Sequence, residues 1–241
     1  MRGVLVFKWA KNPQDARVGG DGSVDWSAAK MAVSDDDAAA AEVALVLGVD
    51  ELVGLTLGDG DASWAAARGA SRTVSITDAL PDPDACVTAA ALALGVEHIG
   101  DVDVVVIGDG PWDPMVPASF AAQLGWRALG GVVSAVREGA LLRVTQRTPG
   151  GTQVIDVVPP VVLGVRACRV EQRSPGMREV LAARKKPLEK VTVVELGGTP
   201  QSGVKVCGTV VPAAAQAHVF DGDPDAAVKQ LVSALRSEGA L

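Results

Sequence analysis

Short apolar runs alternate with longer alanine-rich stretches through the first half of the chain. The apolar runs are rich in Val, Ile and Leu and cover residues 3–7, 52–57, 73–76 and 102–107. Between them, residues 35–47 and 83–94 have the composition and length of helices, and Ser34 precedes the first as a suitable cap. The alternation predicts an α/β fold with a doubly wound, mainly parallel sheet and helices on both faces.

The pattern changes after residue 107. Residues 131–136, 141–148 and 152–158 are predicted to form strands joined by EGA and PGG turns, which makes an antiparallel section. Residues 161–165 then follow a Pro-Pro break as an uninterrupted apolar run, typical of a strand buried on both faces. We therefore expect a mixed sheet in this part of the chain.

The last part of the chain has another composition. Residues 197–222 are rich in Gly, Pro, Ala and Ser, which indicates an extended arm. The closing sequence DPDAAVKQLVSALRSEGA predicts an amphipathic helix, and its apolar stripe consists of Val228, Leu231, Val232 and Leu235. We predict an α/β domain over residues 1–196 and a C-terminal arm over residues 197–241, whose helix covers its stripe on its own domain or on a partner.

A basic segment interrupts an otherwise acidic chain. Residues 166–190 hold eight Lys or Arg and three Glu, a net charge of +5, whereas the 241-residue chain carries −7. Such a reversal of sign indicates a docking or anion-facing surface. A solvated helix with a basic end that suits its own dipole is the alternative.

Composition excludes several classes of protein. Aromatic residues make up 3% of the chain, with no Tyr, and the net charge is negative, so a nucleic-acid surface is not expected. Three separated cysteines support neither a disulfide framework nor a zinc site, and no run approaches the length of a membrane span. We predict a soluble cytoplasmic protein without membrane insertion.

Catalytic candidates are few. His98, His218 and Cys168 lie in no recognisable nucleophile motif, and no Walker A or GxGxxG sequence occurs. The loops GDGDAS (58–63) and GDGPWD (108–113) each follow a strand, where open α/β sheets bind ligands. Carboxylates crowd these segments and would repel a phosphate unless a metal or Lys8 compensates: Asp35, Asp36, Asp37, Asp59, Asp61, Asp109 and Asp113. We expect no enzyme activity of the chain's own.

Several segments resemble one family over almost the full length. They are VLVFKW in the first strand, RTPGGTQVIDVVPPVV, RACRVEQRSPGMREVLAARKKPLE, and the tail GVKVCGTVV with its terminal helix. The third is the most specific, because it resembles the Lys-rich segment of the β subunit of electron transfer flavoproteins. The matching or conservatively changed positions are Arg173, Met177, Val180, Leu181, Ala183, Arg184, Lys185 and Lys186. The chain is similar to a divergent member of that family.

The resemblance implies a Rossmann-like sheet of the adenine-nucleotide-binding type in an αβ heterodimer that carries electrons from partner dehydrogenases. FAD would be held mainly by the α subunit, and AMP would lie in the β-subunit crevice. The implied nucleotide-site residues are Val6, Ser34, Asp35, Asp36, Asp37, Leu57, Gly58, Gly108, Gly110 and Asp113. The implied docking loop and helix, at about residues 171–187, would use Arg173, Met177, Arg178, Arg184, Lys185 and Lys186.

Departures from the family pattern change the expected ligand. GDGPWDPMVPASF replaces the family's Gln- and Asp-containing phosphate loop, and its prolines remove backbone donors. The sequence therefore predicts an altered or empty nucleotide site and ranks a second FAD low. A stand-alone adenine-nucleotide-binding regulator, similar to universal stress proteins, is the alternative function. A hydrolase or ligase of the wider superfamily would need a catalytic motif that the sequence does not contain.

Overall fold

A ten-stranded sheet forms the centre of the protein in the computed structural model, which describes residues 1–58, 60–113, 115–167, 172–199, 201–211, 213 and 218–240. The strands are β1 (Arg2–Lys11), β2 (Arg17–Val18), β3 (Val24–Asp25), β4 (Met31–Val33), β5 (Glu51–Leu57), β6 (Arg72–Ile76), β7 (Val104–Gly108), β8 (Arg127–Glu138), β9 (Leu141–Thr148), β10 (Gly151–Val157), β11 (Val161–Val165) and β12 (Leu188–Val191). The α-helices are α1 (Asp35–Val46), α2 (Ser63–Ala67), α3 (Ala85–Ile99), α4 (Val116–Leu124), α5 (Met177–Ala183) and α6 (Pro224–Ser237).

The order of strands across the sheet is β10-β9-β8-β11-β7-β1-β5-β6-β12. All neighbours from β8 to β12 in this order pair parallel, whereas β8, β9 and β10 form an antiparallel meander and β4 pairs antiparallel with β1. The chain leaves β1 toward β5 and β6 and then crosses back to β7 on the other side. The sheet therefore has its topological switch point between β1 and β7.

Two apolar layers cover the two faces of the sheet. Along β1, Leu5 and Phe7 pack on one face with α1 and α2, while Val4 and Val6 pack on the other with α3 and α4. Successive strand side chains point to opposite faces, so a strand covered on both sides is apolar at most positions. This confirms the predicted doubly wound, mainly parallel sheet with an antiparallel section.

The predicted strands in the first half of the chain are all present, and β9 and β11 have the bounds that the apolar pattern predicts. Helix α1 begins at Asp35, where the Ser34 side chain accepts a hydrogen bond from the Asp37 backbone N–H. The edge strand β12 was not predicted, because its sequence LEKV has no apolar period. It forms because β6 offers a free parallel edge.

The C-terminal arm has no regular secondary structure in its described residues 201–211. It is attached to the domain at two points: the Gly203 N–H donates to Asp84 Oδ2 over 2.9 Å, and Thr209 Oγ1 donates to the Gly22 carbonyl over 2.5 Å. Helix α6 buries none of its residues against the described chain. Among the described residues, no helix is both long and apolar enough to cross a bilayer. The division at residues 196 and 197 stays a prediction.

Candidate functional site

A buried lysine lies where β1 reaches the switch point. Lys8 is 3% exposed, and its ammonium Nζ lies 3.0 Å from Asp37 Oδ1 and 3.4 Å from Asp113 Oδ2. Asp37 belongs to the first turn of α1, and Asp113 follows β7. Three segments that are distant in sequence therefore meet in one buried group of charges, which we call the lysine triad (Lys8, Asp37 and Asp113).

The central carboxylate of the lysine triad is held by backbone donors as well. Asp37, 1% exposed, accepts hydrogen bonds from the backbone N–H of Lys8 at 3.2 Å and of Gly108 at 3.1 Å. Its own N–H donates to Ser34 Oγ. Asp37 therefore links β1, β7 and α1, and it pairs with the buried ammonium of Lys8.

The electrostatics of the triad favour charge pairing. Burial alone would lower the pKa of Lys8, but the charges of Asp37 and Asp113 and their hydrogen bonds outweigh it, so the pKa is raised above the ordinary value of 10.5. Burial raises the pKa of Asp113, and the charge of Asp37 adds to this, against the opposing effect of Lys8. Lys8 is thus shared between two carboxylates, and the triad as a whole is negative.

Two glycines of the GDGPWD loop lie directly against the acidic start of α1. A Cβ on Gly108 would lie 2.5 Å from Asp37 Oδ1, and a Cβ on Gly110 would overlap the Asp36 carboxylate. The Asp36 Oδ1 atom also accepts a hydrogen bond from the Ala167 N–H at 2.9 Å. The space that a glycine loop would offer to a phosphate is filled by carboxylates of this chain.

An open hollow of about 680 Å³ lies above these residues. We call it the aspartate crevice; it is lined by Asn12, Gln14, Ala32, Val33, Asp35, Asp36, Pro111, Trp112, Ala167 and Gln172. Its volume would accommodate a mononucleotide. Its described lining has two carboxylates and no cation, and such a surface repels phosphate. The donors that this site presents therefore do not suit AMP or the pyrophosphate of a flavin nucleotide.

The structure separates the predicted nucleotide-site residues into groups. Asp35 and Asp36 line the crevice, whereas Ser34, Asp37, Gly108 and Asp113 form or support the lysine triad, and Gly110 lies on Asp36. The side chains of Val6 and Leu57 are fully buried under α3 and α4. Gly58 follows β5, with a φ of 80°, and lies beside Leu80. Asp59 and Cys168 lie outside the described residues.

Trp112 and Gln172 are among the crevice residues that sequence reasoning missed. Trp112 stands inside the GDGPWD loop, so a search of that loop for side chains, and not only for glycines, could have found it. Gln172 also donates from Nε2 to the Asp35 carbonyl over 3.0 Å, which joins the basic segment to the start of α1. No local pattern indicates that contact.

The second predicted site, around α5, presents an apolar ridge. Met177 is 75% exposed and Leu181, one helical turn later, is 52% exposed. The exposed cations Arg178, Arg184 and Lys185 accompany them and form no ion pair with other described residues. Residues four apart lie on the same face of a helix, so the two apolar side chains form one continuous ridge beside positive charge.

Two other predicted docking residues are engaged within the chain. Arg173 Nη1 donates to both oxygens of Glu179, at 2.9 and 3.1 Å, and Glu179 also accepts from the Gly176 N–H at 2.7 Å. Lys186 Nζ donates to the carbonyls of Ala66 and Ala70, at 2.9 and 2.7 Å. These contacts hold the loop and the helix in place, and the role of both residues at a partner surface stays a prediction.

Comparison with known proteins connects these features to one family. The family model described as electron transfer flavoprotein domain matches residues 22–196. The chain is 27% identical to an electron transfer flavoprotein subunit beta of Bradyrhizobium diazoefficiens, with 93% of both chains covered. It is 28% identical to the subunit of that name from Mycobacterium leprae (78% of this chain, 79% of the relative) and 26% identical to that from Syntrophomonas wolfei (72% and 68%).

Proposed function

Because this chain belongs to the electron transfer flavoprotein family, as a divergent member whose curated relatives are β subunits, we propose that it is the β subunit of an αβ heterodimer. The heterodimer takes electrons from partner dehydrogenases and passes them on through FAD held mainly by the α subunit. The flavin supplies the redox chemistry when it is bound. This chain contributes docking and orientation, and it is a carrier subunit without a catalytic constellation of its own.

The exposed ridge on α5 is the observation that carries the docking part of this proposal. Met177 and Leu181 are apolar and exposed on α5. The turn that follows this helix is held in place by Lys186, which donates to the carbonyls of Ala66 and Ala70. An unbranched, adaptable methionine on a fixed helix is suited to fill a pocket of a second protein. Because these contacts already hold α5 in place, little conformational entropy is lost when the ridge binds.

The charges beside the ridge define the kind of dehydrogenase surface that would bind. Arg178, Arg184 and Lys185 are exposed, and the rest of the chain is acidic. A surface of this kind accelerates the encounter with an acidic patch and adds less to final affinity than the buried apolar contact does. We therefore propose an acidic rim around an apolar pocket on the partner dehydrogenase.

The C-terminal arm supports a permanent partner subunit. Val204, Val206 and Val210 are 57%, 61% and 86% exposed, and on α6 Val228 and Leu231 are 58% and 43% exposed. Apolar side chains repeated along an arm and on one helix are typical of a surface that is covered in an assembly. We propose that residues 197–241 pack on the α subunit.

The crevice chemistry supports a further part of the proposal, that this subunit binds no AMP. Lys8 is already paired with Asp37 and Asp113, and the aspartate crevice adds Asp35 and Asp36. Nucleotide analysis by mass spectrometry of the denatured αβ complex tests this directly. Stoichiometric AMP would contradict it, and it would favour a reading in which the lysine triad rearranges to receive a phosphate.

Coexpression with an α-like subunit tests the heterodimer. We expect the two chains to purify together as a yellow complex with the visible spectrum of a flavin. A colourless monomer that retains ATP would instead support the stand-alone nucleotide-binding regulator. The acidic crevice does not favour that alternative, because a nucleotide-binding regulator needs hydrogen-bond donors for the phosphates of the nucleotide.

A charge placed on the ridge tests dehydrogenase docking. In the yellow complex, Met177→Glu should reduce electron transfer from the physiological dehydrogenase at least about tenfold, since it buries a carboxylate in an apolar contact. Val154→Glu is the matched control, because Val154 is 60% exposed on β10 at the opposite edge of the sheet. Equal turnover of both variants and the unmodified complex would refute the assigned docking surface.

A further inference from the structure

A second hollow of about 490 Å³ lies beside the aspartate crevice, on the other side of Trp112. We call it the tryptophan hollow; it is lined by Ala10, Lys11, Trp26, Pro81, Asp82, Pro83, Trp112 and Asp113. Two indoles and two prolines give it flat apolar walls. The chain has five tryptophans and no tyrosine, so two of its few large aromatic rings meet in this one place.

Asp113 gives the tryptophan hollow a carboxylate that lacks a full counter-charge. Its Oδ2 lies 3.4 Å from Lys8 Nζ, but that ammonium is closer to Asp37, at 3.0 Å. No other hydrogen bond to the Asp113 side chain is present among the described residues. Burial raises the pKa of Asp113, and the neighbouring Asp37 raises it further while Lys8 lowers it. A further cation at this carboxylate would be stabilised.

The other charged groups of the hollow leave it acidic. Asp82 adds a second carboxylate, one oxygen of which accepts the Asp84 N–H at 2.8 Å. Among the lining residues that the structure describes, Lys11 supplies the one ammonium. The pKa of Asp25 is lowered by hydrogen bonds from Ser27 and, to a smaller extent, by Lys11, so this exposed ammonium is partly matched by the neighbouring hairpin. The two carboxylates of Asp82 and Asp113 are therefore only partly neutralised by the cations around the hollow.

We propose that the tryptophan hollow receives an arginine side chain of the partner subunit. This inference rests on the proposed function, because it requires a partner subunit. A guanidinium is planar, stacks on indole faces and donates two parallel hydrogen bonds to a carboxylate. A phosphate would meet two carboxylates instead, and a lysine ammonium would lack the planar shape that matches the walls. The crevice end of the sheet would thus bind a cation of another chain.

A guanidinium probe tests the chemistry on the full-length chain. We would add N-acetylarginine amide to ¹⁵N-labelled protein and record the five indole N–H signals, assigned by single Trp→Phe variants. The signals of Trp26 and Trp112 should shift, and those of the other three should not. N-acetylcitrulline amide, which has nearly the same shape and no charge, should produce no comparable shift. No shift with the arginine probe, or equal shifts with both probes, would overturn the proposal.

Variants identify the groups responsible. Asp113→Asn should weaken binding of the arginine probe about tenfold, as expected when a charge-assisted hydrogen bond is lost. Trp26→Leu, a change at a 38% exposed residue, should weaken it as well without touching the lysine triad. Asp101→Asn is the matched control: it removes the same charge at the other end of the sheet, where the backbone φ of 49° suits asparagine. Unchanged binding in both hollow variants would overturn the assignment.

The αβ complex distinguishes a partner side chain from a free small cation. When the hollow is already filled by the partner, the indole signals of Trp26 and Trp112 should no longer respond to the arginine probe, and Asp113→Asn should weaken subunit association about tenfold. A response that persists in the complex would overturn the partner as the source. The yellow flavin spectrum is read on the same sample, so failure of this inference leaves the proposed heterodimer standing and is distinguishable from its failure.

Discussion

Replacement of Lys8 by methionine is the most informative perturbation of the protein's centre. Methionine has similar length and no charge, so the substitution keeps the packing of β1 and removes the ammonium. Asp37 and Asp113 would then share a buried site without a cation. Burying a charge without its partner is among the few mechanisms by which one substitution costs several kcal/mol.

The distances give the size of the effect. At an effective dielectric of about 20, the two contacts at 3.0 and 3.4 Å each correspond to about 5 kcal/mol of attraction. The desolvation cost of the Lys8 ammonium, which the variant no longer carries, offsets much of this sum. Two backbone N–H donors to Asp37 remain, from residue 8 and Gly108. We therefore expect a net loss near the lower end of the range for broken buried pairs, about 3 kcal/mol.

Urea unfolding at pH 7, followed by circular dichroism, measures this loss. For a chain of this length about 3 kcal/mol corresponds to a fall of about 6–12 °C in Tm. Lys30→Met, at an exposed lysine, is the matched control and should change stability by less than about 0.5 kcal/mol. A loss below about 1 kcal/mol for Lys8→Met would show that the pair behaves like a solvated surface pair, and the reasoning from burial would fail.

The pH dependence gives a second check with a defined sign. The folded pKa of Asp113 is raised above 3.8, so the folded state takes up a proton more readily than the unfolded state, and this residue contributes less stability as the pH rises through that window. Removal of Lys8 strengthens this effect. The difference in free energy of unfolding between Lys8→Met and the unmodified protein should therefore become smaller from pH 7 toward pH 4. At the alkaline end, the raised pKa of Lys8 means that the unmodified protein loses the contribution of its ammonium only above pH 10.5.

Two further substitutions test contacts that hold the docking helix and the arm. Lys186→Met removes the donor to the carbonyls of Ala66 and Ala70 and should cost about 1–2 kcal/mol in urea unfolding; an unchanged midpoint would show that water replaces the ammonium without cost. Asp84→Ala removes the acceptor of the Gly203 N–H, so limited proteolysis within residues 201–211 should become faster, while an unchanged cleavage rate would mean that other contacts hold the arm.

The fold was predictable from the sequence because burial leaves a local trace. Strand β11 is apolar at all five positions, and the structure buries each of them, as expected for a strand covered on both faces. Ser34 and the three aspartates after it predict the start of α1, because a capping serine and acidic residues suit the N-terminus of a helix. Strand β12 escaped prediction because a free neighbouring edge, and no pattern of its own, makes LEKV a strand.

The candidate site was predictable only in part. The sequence located the acidic start of α1 and the GDGPWD loop at strand ends, where ligands of α/β sheets bind. It could not show whether the Lys8 ammonium would face a ligand or form an ion pair with Asp37. It also could not distinguish Lys186, whose ammonium is bound by two carbonyls, from Lys185, which is exposed. These adjacent lysines have different roles because the turn that follows α5 directs their side chains to different surroundings.

The sequence by itself determined the alternation of buried strands and helices, the acidic balance of the chain and the basic segment, since each depends on the order of residues along one short stretch. The tertiary structure decided which charges meet. Lys8, Asp37 and Asp113 come from β1, α1 and the loop after β7. Only the crossover of the chain at the switch point brings the two carboxylates within 3.4 Å of the Lys8 ammonium. Charge pairing depends on distance and burial in space, and neither quantity is written in the spacing of residues along a chain.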